Sequence, residues 1–333
     1  MNFSIKKKPK KGHMKSDHAK LSEMLAPPEL ASIISYAERN KEKAAAKLLV
    51  STLKTGVVID TKFFAFSRRK SGGGVDRPLP IYTNSLLLMA GVPHFITILG
   101  SGFAEDRTVS LDEPFPTEKE YLKDEYDYPS DSDLEDDEEE CSIDVEIPLA
   151  EKKKEEPDST EASITESSKL ELPTGGHYGR IIVLPTGAHK TWEALLAYLY
   201  TGEIKFALLK SHPDHRRGRQ SEGPFEVLCS PKSMYRLAHA YGLENLKKEA
   251  AANIESQLTP DNIMQELKSS LTVTHEEILK MEVDFASRAA QRPRILPSLL
   301  QWIADLSKGE MTHTTHCLQA LVKEIATNGN SYR

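Results

Sequence analysis

The chain has 333 residues, and its 39% of hydrophobic and 28% of charged residues are typical of a soluble globular protein with a sizeable core. Its longest mainly apolar run, 86–100, is too short to span a bilayer, the start carries no apolar secretory signal, and three distant cysteines favour a reducing compartment. The net charge of −7 comes from residues 124–140, which hold 11 acids and no lysine or arginine, so it says little about the rest.

Residues 1–27 are predicted to be a disordered basic tail, because they are polar and rich in lysine. The run KKKPKK at 6–11 has two open interpretations, a localisation or nucleic-acid-binding tail and a solvated tail without an address. Apolar residues then recur at helical spacing over 28–53 and predict a helix that Gly56 ends.

β-branched and aromatic residues at 57–66 predict one or two short strands, and residues 79–82 predict another. Between them, 68–77 is polar, contains three glycines and is interpreted as an insert. Residues 84–89 and 93–99 predict two short buried helices.

The stretch 106–177 has few apolar residues and many acids, and we predict that it is disordered. Within it, Ser130 and Ser132 each have an acid three residues further on, which is the arrangement that acid-directed kinases accept. A solubilising acidic spacer is the alternative interpretation.

After a strand predicted at 180–184, a helix with a buried apolar stripe ends at Gly202, and 207–229 is interpreted as a further polar insert. Ser230 and Pro231 then begin a mainly helical region, because serine caps a helix and proline fits its first turn. The members of the stripe are Trp192, Leu195, Leu196 and Leu199. Thr274 with Glu277 is interpreted as a capping box for a later helix.

The order and wording of these segments resemble the BTB/POZ domain family, especially its insert-rich members in fungi. AYLYTGEI at 197–204, preceded by HKTWEALL, carries most of the resemblance, because the family's third long helix characteristically ends in Tyr-Thr-Gly. Further support comes from DTKFFAF at 60–66, YTNSLLLMAGVPHF at 82–95 and SPKSMYRLAHAYGLENLKKEA at 230–250. Asn84–Ser85 stands where the family has His-Lys.

The resemblance implies an α+β fold in which a small mixed sheet is wrapped by α-helices. A BACK-like helical extension and a C-terminal tail would follow the BTB/POZ domain, and long disordered inserts would interrupt it. The predicted limits are 28–257 for the domain, with inserts at 68–77, 106–177 and 207–229, then 258–307 for the extension and 308–333 for the tail.

The resemblance also implies function through protein–protein contacts, as a dimeric substrate adaptor that joins a client protein to a cullin-RING ubiquitin ligase. The alternative within the family is a scaffold or transcription-linked oligomer without a ligase role. By position, Phe103 and Glu105 are the candidate cullin contacts, or else an apolar residue that caps the fold beside an ordinary acid. The candidate dimer contacts are Leu48, Leu49 and Leu53, and the sequence does not name the client.

No catalytic, cofactor-binding or metal-binding motif is predicted, so we do not expect an enzyme. His313, His316 and Cys317 could act as metal ligands, as could His212 and His215, but a structural zinc site needs about four converging ligands. No nucleophile elbow, zincin helix or dinucleotide fingerprint occurs in the sequence. The arginines at 216–219 lack interleaved aromatic residues, so nucleic acid is not an expected partner.

Overall fold

The computed structural model of the protein describes residues 50, 52–53, 58–92, 94–100, 108–126, 128, 130–136, 177–215, 227–289 and 295–330. These residues form an α+β structure, a small mixed sheet covered by helices, so the α+β prediction is confirmed. The tail of residues 1–27 lies outside the described residues, and of the helix expected over 28–53 only positions 50, 52 and 53 are described, all helical. None of the described helices is long and apolar enough to cross a bilayer.

Five strands form the main sheet, with β1 at its centre. They are β1 (Thr61–Arg69), β2 (Val75–Thr83), β3 (Val109–Ser110), β4 (Glu135–Asp136) and β5 (Tyr178–Leu184). β2 runs antiparallel to β1 on one side, and β5 runs parallel to it on the other, with β4 beside the end of β1 and β3 beside β5. The first seven residues of β1 are all buried, so both faces of this strand are covered.

Residues 68–77, predicted to form a polar insert, complete the β1–β2 hairpin. Arg68 is paired with Asp76 in the ladder, and its guanidinium donates two hydrogen bonds of 2.9 Å to the Asp76 carboxylate. Gly73 and Gly74 have φ angles of 90° and 78°, which glycine adopts at no steric cost. The glycines therefore belong to a tight turn between two long strands.

β2 is an outer strand of the described sheet and contains two prolines. Pro78 lies opposite Phe66 of β1, and Pro80 lies opposite Phe64. Proline has no backbone N–H, so in a sheet it occupies positions whose N–H would point away from the neighbouring strand. At both positions, the outer side of β2 lacks a backbone donor.

In the described part of the chain, five helices pack on one face of the sheet and enclose the main apolar core. They are α1 (Ser85–Gly91), α2 (His94–Gly100), α3 (His189–Thr201), α4 (Pro231–Ala240) and α5 (Glu244–Ser256). Two short parallel strands, β6 (Lys205–Phe206) and β7 (Leu228–Cys229), pair with each other between α3 and α4. The two short helices predicted after β2 are confirmed as α1 and α2.

Local sequence signals set the ends of the longer helices. Gly202 ends α3 in the left-handed conformation, with φ of 82°, and its N–H donates to the Tyr198 carbonyl. Ser230 caps α4 and Pro231 occupies its first turn, as predicted. The predicted stripe of α3, from Trp192 to Leu199, is buried in the main core.

A second apolar cluster lies in a helical extension that continues to Asn330. Its helices are α6 (Ile263–Glu266), α7 (Ser270–Thr274), α8 (Glu276–Ala289), α9 (Ile295–Ser307) and α10 (Thr315–Asn330). The prediction of a tail over 308–333 is wrong, because α10 buries Cys317 and Leu321 in this cluster. The predicted capping box is also wrong, since the Thr274 hydroxyl donates to carbonyls of α7 and the Glu277 carboxylate pairs elsewhere.

Residues 108–126, 128 and 130–136 belong to a segment that lies over one face of the sheet, which we call the strap. It contains β3, a 3-10 helix at Thr117–Lys123 and β4, and several of its side chains are buried. The prediction of disorder over 106–177 is therefore wrong for the strap, while residues 137–176 lie outside the described residues. The buried strap residues include Leu111, Tyr126, Tyr128, Asp131 and Leu134.

The interpretation of 207–229 as an insert is wrong for its two described ends. Leu209 is fully buried in the main core, and its N–H donates to the Gln257 side chain at 2.6 Å. Leu228 and Cys229 form β7. Residues 216–226 lie outside the described residues.

Candidate protein-interaction surface

The start of β1 is tied to the start of α1 by the carboxylate of Asp60. This carboxylate accepts a hydrogen bond of 2.7 Å from the backbone N–H of Ser85 and one of 2.5 Å from the Ser85 hydroxyl. It also accepts a bond of 2.9 Å from the Thr61 hydroxyl. Asp60 and Ser85 thereby fix the angle between the first strand and the first helix.

Asn84 completes this connection from the helix side. Its side-chain oxygen caps α1 by accepting a hydrogen bond of 3.0 Å from the Leu86 N–H, and its amide nitrogen donates to the Val58 carbonyl at 2.7 Å. A single residue therefore ends β2, begins α1 and holds the segment before β1. Asn84 and Ser85 therefore each have a structural role here.

Exposed apolar side chains gather on the segments joined by these hydrogen bonds. We call Val58, Ile59, Tyr82 and Leu86 the apolar patch, because each exposes more than a third of its surface. Leu53, a few residues earlier in the chain, is helical and 87% exposed. Exposed apolar side chains on a rigid backbone favour burial against another surface.

The predicted site residues are described only in part. Leu53 is exposed, as a dimer contact would be in a single copy. Leu48 and Leu49 lie outside the described residues, as do Phe103 and Glu105. Their predicted roles stay predictions.

The strap is attached to the sheet at both of its ends. At the first end, Lys62 of β1 is 4% exposed, and its Nζ donates hydrogen bonds of 2.8 Å to the carbonyls of Leu111 and Glu113. Burial lowers the pKa of Lys62, although Asp112 and Glu113 act in the opposite direction. At the other end, Arg69 donates to the Asp131 carbonyl at 2.8 Å, beside the pairing of β4 with β1.

Aromatic side chains fill the space between the strap and the sheet. Phe115 meets the rings of Phe64 and Phe66 at centroid distances of 5.5 and 6.1 Å. Tyr126 meets Phe66 edge-on at 6.4 Å, and the guanidinium carbon of Arg236 lies 4.1 Å from the ring centre of Tyr128. These contacts join the strap to both β1 and α4.

The strap also brings two carboxylates to the beginnings of α3 and α4. The Asp131 carboxylate accepts hydrogen bonds from the hydroxyls of Ser233, at 2.5 Å, and Tyr126, at 3.0 Å. The Asp133 carboxylate accepts from the Thr191 hydroxyl at 2.7 Å and from the Ser230 N–H at 2.8 Å. The acids of the run at 124–140 therefore differ in their surroundings. Two of them, Asp131 and Asp133, are held by hydrogen bonds within the fold.

The main core meets the helical extension at a polar cluster around Glu277. The Glu277 carboxylate accepts a hydrogen bond of 3.0 Å from the Tyr235 hydroxyl and pairs with Lys247 at 3.2 Å. His275 contacts the rings of Tyr235 and His239 edge-on, at 5.2 and 5.0 Å. Burial and the neighbouring His239 lower the pKa of His275 to about 4, so this junction keeps a neutral imidazole at physiological pH.

The residues with metal-ligand chemistry do not converge in the described part of the chain. No group of three or more histidine, cysteine or acidic side chains there could hold a metal ion. Cys317 is buried beside His316, with 3.4 Å between the sulfur and Nε2 of the ring. The pair belongs to the packing of α10.

Sequence reasoning missed the side chains that organise this region. Lys62 gave a local signal, since a lysine within the apolar strand segment TKFFAF needs a buried polar partner. Asp131 and Asp133 gave none, because an acidic run looks the same whether it is solvated or docked. No protein-family model, curated protein or solved structure matches this chain.

Proposed function

We propose that this chain is a protein–protein interaction module of the BTB/POZ type. The observation that supports the proposal is the order and pairing of its elements. An antiparallel hairpin, a pair of short helices, a strand parallel to β1, a longer helix and a further helix pair follow one another. This is the succession that the sequence resemblance implies, with the strap added over the sheet.

We propose further that the module pairs with a second copy of itself. Leu48, Leu49 and Leu53 would form the contact on the helix that precedes β1, and the apolar patch would extend it. Burying one such side chain contributes about 1.5–3 kcal/mol, and a symmetric pair buries each of them twice, once from each copy. The hydrogen bonds of Asp60 and Asn84 keep the patch in place before a partner arrives.

Sedimentation of the full chain at micromolar concentration tests the pairing. We expect a dimer for the wild type and a shift toward monomer for Leu49→Asp and for Leu53→Asp, because a buried carboxylate without a partner is costly. Leu300→Asp is the matched control, since Leu300 is also an exposed leucine, 58% exposed, but lies on α9 of the extension. A wild-type monomer, or equal weakening by the control, would contradict this interface.

In the adaptor role, the dimer would bind a cullin through Phe103 and Glu105 and present a client for ubiquitination. A large apolar side chain that fills a partner's pocket can dominate the energy of an interface. A charge-assisted hydrogen bond from Glu105 would add about 1.5–3 kcal/mol where water is excluded. The alternative role is that of a scaffold or transcription-linked oligomer.

The two roles differ in whether the chain binds the N-terminal helical domain of a cullin. The comparison is wild type against the double variant Phe103→Ala plus Glu105→Ala, with the fold of both checked by circular dichroism. Loss of binding in the variant supports the adaptor. A dimeric wild type that does not bind the cullin supports the scaffold instead. Deleting residues 141–176 tests whether this segment covers the contact, and it leaves the strap in place.

A further inference from the structure

The attachment of the strap to the helices depends on an unusual pair of neighbouring carboxylates. Asp131 is fully buried, and its carboxylate is bonded to Ser233 and Tyr126, while the Asp133 carboxylate is bonded to Thr191 and Ser230. Each of these donors is a hydroxyl or a backbone N–H, and none carries a charge. The backbone N–H of Asp133 donates to the Asp131 carboxylate at 3.0 Å, so the two residues are adjacent, and a second negative charge beside a buried carboxylate is costly.

Charged groups from β1, α3 and the strap lie around the two aspartates. Arg69 of β1 donates to the backbone carbonyl of Asp131 and pairs with the Asp136 carboxylate. Lys190 of α3 lowers the pKa of Asp133, but it is the smallest of the influences on that group. Cys229 of β7 is a buried thiol, and burial and the two aspartates raise its pKa. Burial and the charge of Asp131 raise the pKa of Asp133 from 3.8 to about 7.

We propose that docking of the strap is coupled to uptake of one proton by Asp133 beside the buried Asp131, which makes the strap a pH-sensitive latch over the sheet. In the docked state Asp133 keeps its proton up to about neutral pH, whereas in a released strap it loses that proton near its ordinary pKa of 3.8. Docking is therefore strongest at low pH, weakens as the pH rises from about 4 to 7, and is constant above that range.

The coupling of docking to proton uptake predicts how much the ratio of released to docked strap changes near neutral pH. With a docked pKa of about 7, the ratio of released to docked strap rises by about tenfold between pH 6 and pH 8. Release would uncover Phe64 and Phe66 on β1 and the beginning of α4. An aromatic surface would thus become accessible on the alkaline side of neutrality.

Hydrogen–deuterium exchange of the full chain measures this equilibrium directly. The observable is the opening constant of strap amides at pH 6, 7 and 8, corrected for the intrinsic pH dependence of exchange, with amides of α3 and α5 as internal references. We expect a rise of about tenfold in the strap and little change in the reference helices. A strap whose corrected opening constant does not change with pH would overturn the proposal.

Two variants separate the latch from general effects of pH. Asp133→Asn keeps an acceptor for Ser230 but cannot ionise, so its strap should stay docked without pH dependence. Asp131→Asn removes the neighbouring charge, so the pH dependence should remain with its midpoint at lower pH. Asp124→Asn makes the same chemical change at an exposed strap carboxylate and should behave as wild type. Retention of the wild-type slope in Asp133→Asn, or of the wild-type midpoint in Asp131→Asn, would overturn the proposal.

Discussion

On one side of the sheet, β1 directs Phe63 and Ala65 into a core shared with α1 to α5, where Trp192 and Phe95 surround them. On the other side, Lys62, Phe64 and Phe66 meet the strap. The first face is covered by apolar side chains from many elements. The second is covered by one polar segment that contributes a few aromatic rings and several hydrogen bonds.

The difference shows that a segment with few apolar residues can still be ordered. Ordering the backbone costs about 1–2 kcal/mol per residue, and apolar burial alone would not offset that cost in so acidic a sequence. The strap is anchored at defined points instead, by a buried lysine at one end and by the buried Asp131, Asp133 and an arginine at the other. A substitution that removes contacts on the helix side should therefore lower the stability of the whole fold. A substitution on the strap side should loosen only the strap.

The largest effect is expected from Trp192→Ala on the helix side. The side chain is fully buried, contacts the rings of Phe63, Phe95 and Tyr241, and donates to the Thr186 carbonyl. Its removal should cost about 3–5 kcal/mol of the free energy of unfolding, measured by urea denaturation followed by circular dichroism. The control Tyr200→Ala removes a half-exposed ring from the same helix and should cost far less. Similar losses of unfolding free energy in both variants would contradict the expectation that the buried core on this side stabilises the whole fold.

An intermediate effect is expected from Lys62→Met on the strap side. Methionine fills a similar volume but leaves the carbonyls of Leu111 and Glu113 without this donor, at a cost of about 1–3 kcal/mol. The loss should appear as faster hydrogen exchange in residues 108–126, with the helices of the core unchanged. The exposed Lys248→Met on α5 serves as control. Faster exchange throughout the core would show that the two faces are not independent.

The smallest effect is expected from Arg236→Gln. Its guanidinium lies over the ring of Tyr128, and a contact of this kind contributes about 0.5–1 kcal/mol at an accessible site. Global unfolding should change little, while strap amides near residues 126–136 should exchange a few times faster. Lys248→Gln, an exposed change on α5, should leave the strap unaffected. An unchanged strap in Arg236→Gln would show that α4 contributes little to docking beyond the carboxylate bonds.

The elements that the sequence predicted correctly are those whose signals are local. The stripe from Trp192 to Leu199, the stop at Gly202 and the cap at Ser230 each depend on neighbouring residues only. α10 had such a signal as well, because Cys317 and Leu321 are spaced by one helical turn, but the interpretation as a tail passed over it.

The candidate surface and the strap depend on distant partners, and a single sequence does not show them. Lys62 bonds to Leu111, 49 residues away, and Asp133 bonds to Ser230, 97 residues away. The strap is acidic and poor in apolar residues, as its composition shows. Its order comes from these hydrogen bonds to distant residues, which composition does not reveal. The glycines of 72–74 were ambiguous for a related reason, since a hairpin turn and a linker have the same composition.

The two prolines of β2 have a consequence for assembly. An outer strand with a full row of donors and acceptors is a template on which strands from other molecules can add without limit, as in amyloid. Pro78 and Pro80 interrupt that row, so further copies gain little from adding there. The pairing proposed for the apolar patch does not use that row, and a pair of side-chain surfaces can close, whereas strand addition grows into filaments.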